Sequence, residues 1–437
     1  FRGIHAFQAC LFNHSSISPF SEREDRGSFR NNKISNQLYL KITVLPLYPV
    51  FLFINIFHDF TYNLYKIPSF FYLCEINPKN DIINMKVPNI RLLNQQLSAP
   101  QFRQPKDLVS WMGAIQAQDY TMVKWAVGMR LKSPSLQMVE KALHQGEILR
   151  IHVMRPTWHL VAAEDIRWML KLSAQRIKSA NDSFAKGHEL EITEDTFTKS
   201  NRLLENILCG KKSMTKQEIT EQFEHSGLPA TNYHITRFMA RAETEGILCS
   251  GECRGRLHTY ALLEERVPPM PDPTKDEALA RLARSYFRSH APATLQDFIW
   301  WSGLPITEAR QAIYLIESEM TSEQWKNQTW YIHNTCRTRG KTSGSLFLLP
   351  PYDEYLIGYK DRTDVLPKEY YSKAFTNNGL FYPVIVHDGQ VVGNWDRTIK
   401  KKGSYPQHSY FRHDACIDEE VLNQAKREYM QFMACTL

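Results

Sequence analysis

No Cys-x-x-Cys pair, no phosphate-binding Gly-x-x-x-x-Gly-Lys loop, no Gly-x-Gly-x-x-Gly fingerprint and no His-Glu-x-x-His occurs in the 437 residues. Motif-borne nucleotide-phosphate, dinucleotide and zinc-hydrolase chemistry is therefore not indicated. A membrane span is missing as well. The best apolar run, Ile42 to Phe57, is broken by Pro46, Pro49 and Asn55, too short to cross a bilayer. The first residues do not read as a secretory leader, which needs an early apolar stretch and small residues at a cleavage site. Nor does one sign of charge dominate: 53 Lys and Arg against 46 Asp and Glu leave +7. That excess permits a polyanionic partner without requiring one. What remains, 43% hydrophobic and 23% charged, is ordinary globular composition, which excludes disorder and fibrous repeats. The length admits two or three domains.

Methionine is absent until Met85, and the average composition hides a break there. Residues 1–84 hold 11 of the 23 Phe but no Met, no Trp, two Ala and two Gly. They are dense in Phe, Ile, Asn, Tyr and Lys, the residues of AT-rich codons. They are expected to be upstream DNA translated in frame, the alternative being a poorly ordered natural extension. Without their eight basic and six acidic residues the charge falls from +7 to +5. Six of the eight Cys lie beyond Met85 without a pairing pattern, so reduced thiols in a cytoplasm are expected. Cys249-x3-Cys253 with His258 is the one metal-like spacing. It lacks a fourth ligand, and structural cysteines with no metal are expected.

Two stretches repeat one plan. Thr215 with Glu218, and Thr294 with Asp297, have the capping-box form that opens a helix. Each of these helices ends in Ser-Gly-Leu-Pro, at Ser226–Pro229 and Ser302–Pro305, and Thr231 or Thr307 then caps a second helix. A hairpin follows in the first copy, Gly246 to Leu262, and a strand, Gln328 to Ile332, in the second. Helix, helix-turn-helix and hairpin together describe a winged helix. The predicted fold class is α+β, with tandem winged-helix units and a C-terminal β-barrel-like portion. The units span 85–175 (the most divergent), 190–267 and 274–335. In the first, Leu108 to Ile115 and Leu136 to Leu143 suit helices, and Ile148 to Val161 a hairpin. Residues 345–437 read as β-rich, with strands Leu346–Leu349, Tyr382–Val386 and Val391–Trp395, closed by a helix from Glu419 to Met433.

The polar residues that stand out lie in an apolar setting, Trp111-Met112-Gly113-Ala114-Ile115-Gln116-Ala117-Gln118-Asp119-Tyr120. Gln116 and Gln118 point to one side if the segment is extended and diverge if it is helical. Taken alone, they are expected to be surface amides at a helix end.

Gln116-Ala117-Gln118-Asp119-Tyr120 resembles the Gln-x-Gln motif of the winged-helix DNA glycosylases that include AlkZ; the related YcaQ branch carries Gln-x-Asp. Arg155-Pro156-Thr157-Trp158-His159-Leu160-Val161, the run from Leu349 to Arg362, and Asp388 to Trp395 are similar to other parts of that family. Pro156 departs from it, standing where Gly is frequent. The likeness runs from about Met85 to the end. It implies three winged helices and a barrel-like part that grip duplex DNA, excision of bulky alkylated purines including N7-guanine adducts and interstrand crosslinks, and Gln116 and Gln118 as the catalytic pair.

An amide does not take up a proton at biological pH, so a Gln pair cannot be a general base. Its carbonyls can hold a water beside the sugar C1′ and stabilise an oxocarbenium-like sugar. This suffices when the leaving base is already cationic, as an N7-alkylguanine is. Asp119 ranks below the Gln pair as a base. Lys124 is expected to be a solvated phosphate contact and not a Schiff-base nucleophile, and His152 and His159 to make structural hydrogen bonds. A monofunctional, hydrolytic, metal-free and cofactor-free monomer is expected, cytoplasmic and associated with the nucleoid. The DNA-binding candidates are Arg155 in the first wing, Arg237 and Arg241 on the second unit's recognition-type helix, and Arg254 and Arg256 at its wing tip, with Gly251 to Arg256 as a groove probe. Lys360, Arg362, Arg397 and Lys400 complete the set, since phosphate binding needs cations on one face. The alternative to an enzyme is a non-catalytic winged-helix DNA-binding protein or regulator, or a protein-interaction scaffold.

Overall fold

A computed structural model of the chain describes residues 87–188, 191–255, 257–396, 406–412 and 417–434. The expectations for residues 1–84, Arg256, Arg397 and Lys400 lie outside the described residues. The rest is a mixed α/β protein with four small antiparallel sheets.

One order of elements occurs three times. The first copy runs α1 (Val87–Asn94), α2 (Pro105–Met112), β1 (Ile115–Gln116), α3 (Tyr120–Gly128), α4 (Leu136–His144), β2 (Ile148–His152) and β3 (Trp158–Ala162). The second runs α5 (Ile166–Gly187), α6 (Glu194–Leu208), β4 (Met214–Thr215), α7 (Lys216–Glu224), α8 (Asn232–Thr244), β5 (Leu248–Ser250), β6 (Thr259–Leu262) and α9 (Leu263–Arg266). The third runs α10 (Lys275–His290), β7 (Ala293–Thr294), α11 (Leu295–Ser302), α12 (Ile306–Leu315), β8 (Met320–Trp325) and β9 (Gln328–His333). In each copy a two-residue strand pairs with the second strand of the hairpin, giving the orders β1-β3-β2, β4-β6-β5 and β7-β9-β8. This common topology makes the divergent first copy recognisable as a repeat.

The local signals work by satisfying helix ends. Thr215 and Glu218 form a complete capping box on α7, Thr294 and Asp297 another on α11, and Thr231 caps α8. Thr307 does not cap: α12 begins at Ile306 behind Pro305, which leaves Thr307 inside the first turn. Gly227 and Gly303, both at positive φ, reverse the chain where a side chain would be strained. The reversals differ in use. A Cβ on Gly227 would meet nothing within 4 Å, whereas one on Gly303 would lie 2.8 Å from the Met154 carbonyl oxygen. Gly303 thus lets the third copy press against the tip of the first copy's hairpin, where Met154 itself has φ +63°.

That contact is part of a shared core. Leu149, Ile151 and Val161 of β2 and β3 pack in one buried cluster with Tyr286, Phe287, Phe298 and Trp301 of α10 and α11. Burying each such side chain stabilises by roughly 1.5–3 kcal/mol, so β3 is fixed against the third copy. The second copy has its own core, with Phe223 and Phe238 stacked at 5.4 Å.

The C-terminal part corrects the barrel expectation. It contains β10 (Leu346–Leu349), α13 (Glu354–Ile357), α14 (Tyr371–Ala374), β11 (Val384–His387), β12 (Gln390–Trp395), β13 (His408–Tyr410) and α15 (Glu419–Ala434). Among the described residues the strands form an open sheet in the order β10-β11-β12-β13, with no closed barrel. Asp388 and Gly389, both at positive φ, make the tight turn between β11 and β12 that such a hairpin requires. Tyr429 and Phe432 of α15 pack on Trp125 of α3, and Tyr429 also on Trp395 of β12. The sheet is thereby tied to the first copy. No helix among the described residues is long and apolar enough to cross a membrane.

Candidate active site

Gln116 stands on a short strand and Gln118 at the bend that follows, because α2 stops early. The sequence suggests a helix to Ile115, but it ends at Met112. Gly113 follows at φ +77°, where an added Cβ would lie 2.8 Å from Ser285 Cβ. The chain then enters β1, with Ile115 opposite Leu160 and Gln116 opposite His159. Four backbone groups there are held from outside the segment. Gln116 N donates to Glu354 Oε1 at 2.6 Å and Ala117 N to the Trp158 carbonyl at 2.7 Å. Arg150 Nε donates to the Ala117 carbonyl at 2.8 Å, and its Nη2 reaches the Gln118 carbonyl at 3.4 Å. The Arg150 guanidinium sits 4.0 Å from the Trp158 ring centroid. Asp119 is occupied as the N-cap of α3, accepting from Thr121 N and Met122 N. This capping use of its carboxylate argues against a role as base.

Both glutamine side chains are buried, Gln116 at 3% and Gln118 at 8% exposure. Gln116 Oε1 accepts from Arg155 Nη2 at 3.1 Å, with Thr157 Oγ1 at 3.5 Å. The assignment of oxygen and nitrogen is physically forced, since a guanidinium only donates and must face the carbonyl end of the amide. The opposite end, Gln116 Nε2, is buried with no hydrogen-bond partner among the described residues.

Arg155 Nη2 also lies 3.5 Å from His159 Nε2, while His159 Nδ1 is 3.0 Å from the Thr157 carbonyl. A carbonyl only accepts, so Nδ1 carries the proton and Nε2 presents its lone pair to Arg155. Burial, reinforced by the Arg155 charge, pushes His159 down to about 3, so it is neutral at physiological pH. Burial also lowers Arg155, to about 10, which leaves it cationic. His159 is therefore an acceptor that helps to place Arg155.

Glu354, on α13, is the residue that sequence reasoning missed. It is 1% exposed and 238 positions from Gln116. Besides the Gln116 N–H, it accepts from Trp301 Nε1 at 3.2 Å, and His290 Nε2 lies 3.2 Å from the same oxygen, Oε2. Burial alone would raise its carboxyl, but His290 and the Gln116 N–H overcome that and hold it below the ordinary carboxylate range. Burial lowers the His290 imidazole, in keeping with a neutral ring donating to a carboxylate. The neighbouring Asp353 takes a bidentate pair from Arg130, at 2.7 and 2.9 Å, with both side chains buried. A signal was available, because Asp353-Glu354 sits in an apolar run as the glutamines do.

The other expected site residues are placed differently. Arg237 is buried and paired with Asp182 at 3.1 Å; Arg241 is buried between Glu194 and Glu245. Arg362 is buried under Phe375 and Phe381, its Nε donating to the Leu356 carbonyl at 2.7 Å. These guanidiniums, with Arg155, serve intramolecular partners and do not form a solvent-facing basic surface. Arg254 is exposed but folds back onto Glu218 at 2.8 Å, so it does not extend as a groove probe. Lys360 is exposed, 4.8 Å from the Trp300 ring centroid. Lys124 is not solvated: it is buried and paired with Glu140 at 2.7 Å. His152 is hydrogen-bonded to Glu243. Cys249 is buried, which pushes its thiol up to about 12, and Cys253 Sγ lies 3.5 Å from Tyr120 Oη. Among the described residues no three His, Cys, Asp or Glu side chains cluster as a metal site.

A family model described as DNA glycosylase AlkZ-like matches residues 109–430, a span that includes Gln116, Arg155 and Glu354. An interstrand DNA cross-link repair glycosylase from Streptomyces sahachiroi is 23% identical over 319 residues, covering 68% of this chain and 84% of that protein. The solved structure of the Streptomyces sahachiroi DNA glycosylase AlkZ superposes with a TM-score of 0.66 at 20% identity, over 80% of this chain and 96% of that one. At that identity the superposition establishes a shared fold.

Proposed function

Because the chain belongs to the AlkZ-like DNA glycosylase family, we propose that it hydrolyses the N-glycosidic bond of cationic N7-alkylpurines in duplex DNA, with Gln116 and Gln118 as the catalytic pair. The observation that carries this reading is the amide segment itself. Two buried glutamines, Gln116 at the end of β1 and Gln118 at the bend after it, stand on a segment whose backbone is fixed by Glu354, Arg150 and the Trp158 carbonyl. Fixed dipoles of this kind stabilise charge without reorganising during the reaction.

The steps follow from the substrate. The C1′–N9 bond breaks, and its electron pair enters the purine ring and cancels the N7 cation. A water lone pair forms the new bond to C1′, and the water's proton leaves to bulk solvent. No proton donor to the base is needed, and no side chain has to accept one. Neutral, undamaged purines lack the internal charge and are poor substrates. A crosslink joined through N7-alkylpurines has the same bond to break; a Streptomyces relative is described as acting on interstrand crosslinks.

The three repeats are read as winged helices that lay the monomer along the duplex, with Lys360 as an exposed phosphate contact. The enzyme is read as monofunctional, because Lys124, the nearest lysine in sequence, is committed to Glu140. The test is an excision assay on N7-methylated and crosslinked duplexes with borohydride present. Free base is expected, with apurinic sites left intact and no covalent protein–DNA adduct. A trapped adduct refutes the hydrolytic reading, and absence of released base from every substrate refutes the enzymatic one.

A further inference from the structure

We infer that Arg155 is a positioning residue that locks the Gln116 amide with its N–H₂ toward the reacting nucleoside, so that Gln116 acts as a hydrogen-bond donor to N3 of the departing purine. The inference rests on the glycosylase reading above and divides the work of the two amides.

The orientation comes from which groups can donate. Arg155 Nη2 lies between two acceptors, Gln116 Oε1 at 3.1 Å and His159 Nε2 at 3.5 Å. The His159 tautomer is set in turn, because Nδ1 faces the Thr157 carbonyl at 3.0 Å. Thr157 Oγ1 adds a hydroxyl on the same side of the amide, 3.5 Å from Gln116 Oε1. Flipping the amide would put its N–H₂ against the Arg155 N–H groups, donor against donor. The carbonyl of Gln116 is therefore committed within the protein, and it is not the end that holds water.

The other end has no internal use. Gln116 Nε2 is buried and has no hydrogen-bond partner among the described residues. A buried donor left unmade costs about 1–3 kcal/mol, and such groups in a folded protein call for an explanation. A substrate acceptor supplies one. An alkyl group on N7 removes that nitrogen as an acceptor and leaves N3 as the ring acceptor on the sugar side, next to the C4–N9 bond. As the C1′–N9 pair enters the ring, electron density at N3 rises. A donor placed there binds the departing base more tightly than the intact nucleotide, as catalysis requires. The acceptor that holds the attacking water is then assigned to Gln118.

The experiment is single-turnover release of N7-methylguanine from a duplex by the full chain, with duplex affinity and thermal melting measured in parallel. Glu at position 116 keeps an oxygen for Arg155 and offers no donor, so Gln116→Glu is expected to lose about 100-fold in rate, as Gln116→Ala does. Arg155→Met is expected to lose at least tenfold with duplex affinity unchanged, and Arg155→Lys to recover most of it. A Gln116→Glu rate within threefold of wild type overturns the donor role. Should that variant fail to fold, the unmodified protein decides the matter. On a duplex carrying N7-methyl-3-deazaguanine, release corrected for spontaneous loss should fall about 100-fold, and equal release overturns the inference. If the unmodified protein releases no N7-methylguanine at all, it is the glycosylase reading that fails.

Discussion

Replacing Glu354 by Gln tests how far the site depends on a residue remote in sequence. The carboxylate accepts the Gln116 N–H at 2.6 Å and the Trp301 N–H at 3.2 Å, with His290 Nε2 also at 3.2 Å. Hydrogen bonds to a charged group contribute about 1.5–3 kcal/mol each. Glu354→Ala forfeits all three, roughly 5–9 kcal/mol against a whole-protein stability of about 5–15 kcal/mol, and is expected to unfold. Glu354→Gln keeps one oxygen and turns an amide N–H₂ toward a donor. It should cost about 2–3 kcal/mol and leave the fold intact. β1 then loses the anchor that sets its depth, and misplacement near 1 Å costs about 100-fold in rate. The expected result is a modest fall in melting temperature with N7-methylguanine release reduced about 10- to 100-fold. Glu319→Gln is the control, since it breaks an ion pair with Arg284 on the third copy and should leave release unchanged. A Glu354→Gln protein with wild-type release refutes the claim that this carboxylate positions the catalytic strand.

Three further outcomes are expected. Gly303→Ala should cost about 1–3 kcal/mol more than Gly227→Ala in denaturant melts, because both have positive φ but only Gly303 faces a backbone oxygen, at 2.8 Å. Arg130→Met leaves Asp353 charged and buried, so it should cost about 3–5 kcal/mol, part of which Asp353→Asn in the same chain restores. Stability should fall as pH drops below about 6.5, by up to about 1.4 kcal/mol per unit for one histidine, because the unfolded chain binds a proton that folded His159 refuses until about pH 3. His159→Asn should flatten that acid limb in melting curves, and release should show no His159 inflection between about pH 5 and 8.

Much of the fold could be read from local chemistry. The capping boxes at Thr215 and Thr294 and the glycine reversals at Gly227 and Gly303 act within a few residues, so they show in a short window of sequence. Thr307 misled because the helix starts two positions earlier, with Pro305 as its N-cap. The glutamines were visible as polar residues in an apolar run, but whether they share a side depended on Gly113. Its need for positive φ and its contact with Ser285 come from the tertiary structure. Glu354 stood out as a charge in an apolar run, but its pairing with Gln116 was hidden by the 238 positions between them. Arg237 and Arg241 were placed on the correct helix, yet the face they occupy is set by Asp182 and Glu194, which no spacing on α8 reveals. Of the cations expected to face DNA, Arg155, Arg237, Arg241 and Arg362 instead serve internal partners.

On the proposed mechanism the buried amide pair performs the chemistry and contributes little to holding DNA. The most direct measurement compares wild type with Gln116→Ala/Gln118→Ala for single-turnover release of N7-methylguanine, with duplex affinity measured on the same preparations. Release should fall by at least about 100-fold while affinity stays within a few-fold. Wild-type release from the double variant, or a loss of release matched by an equal loss of affinity, would overturn the catalytic role of the pair.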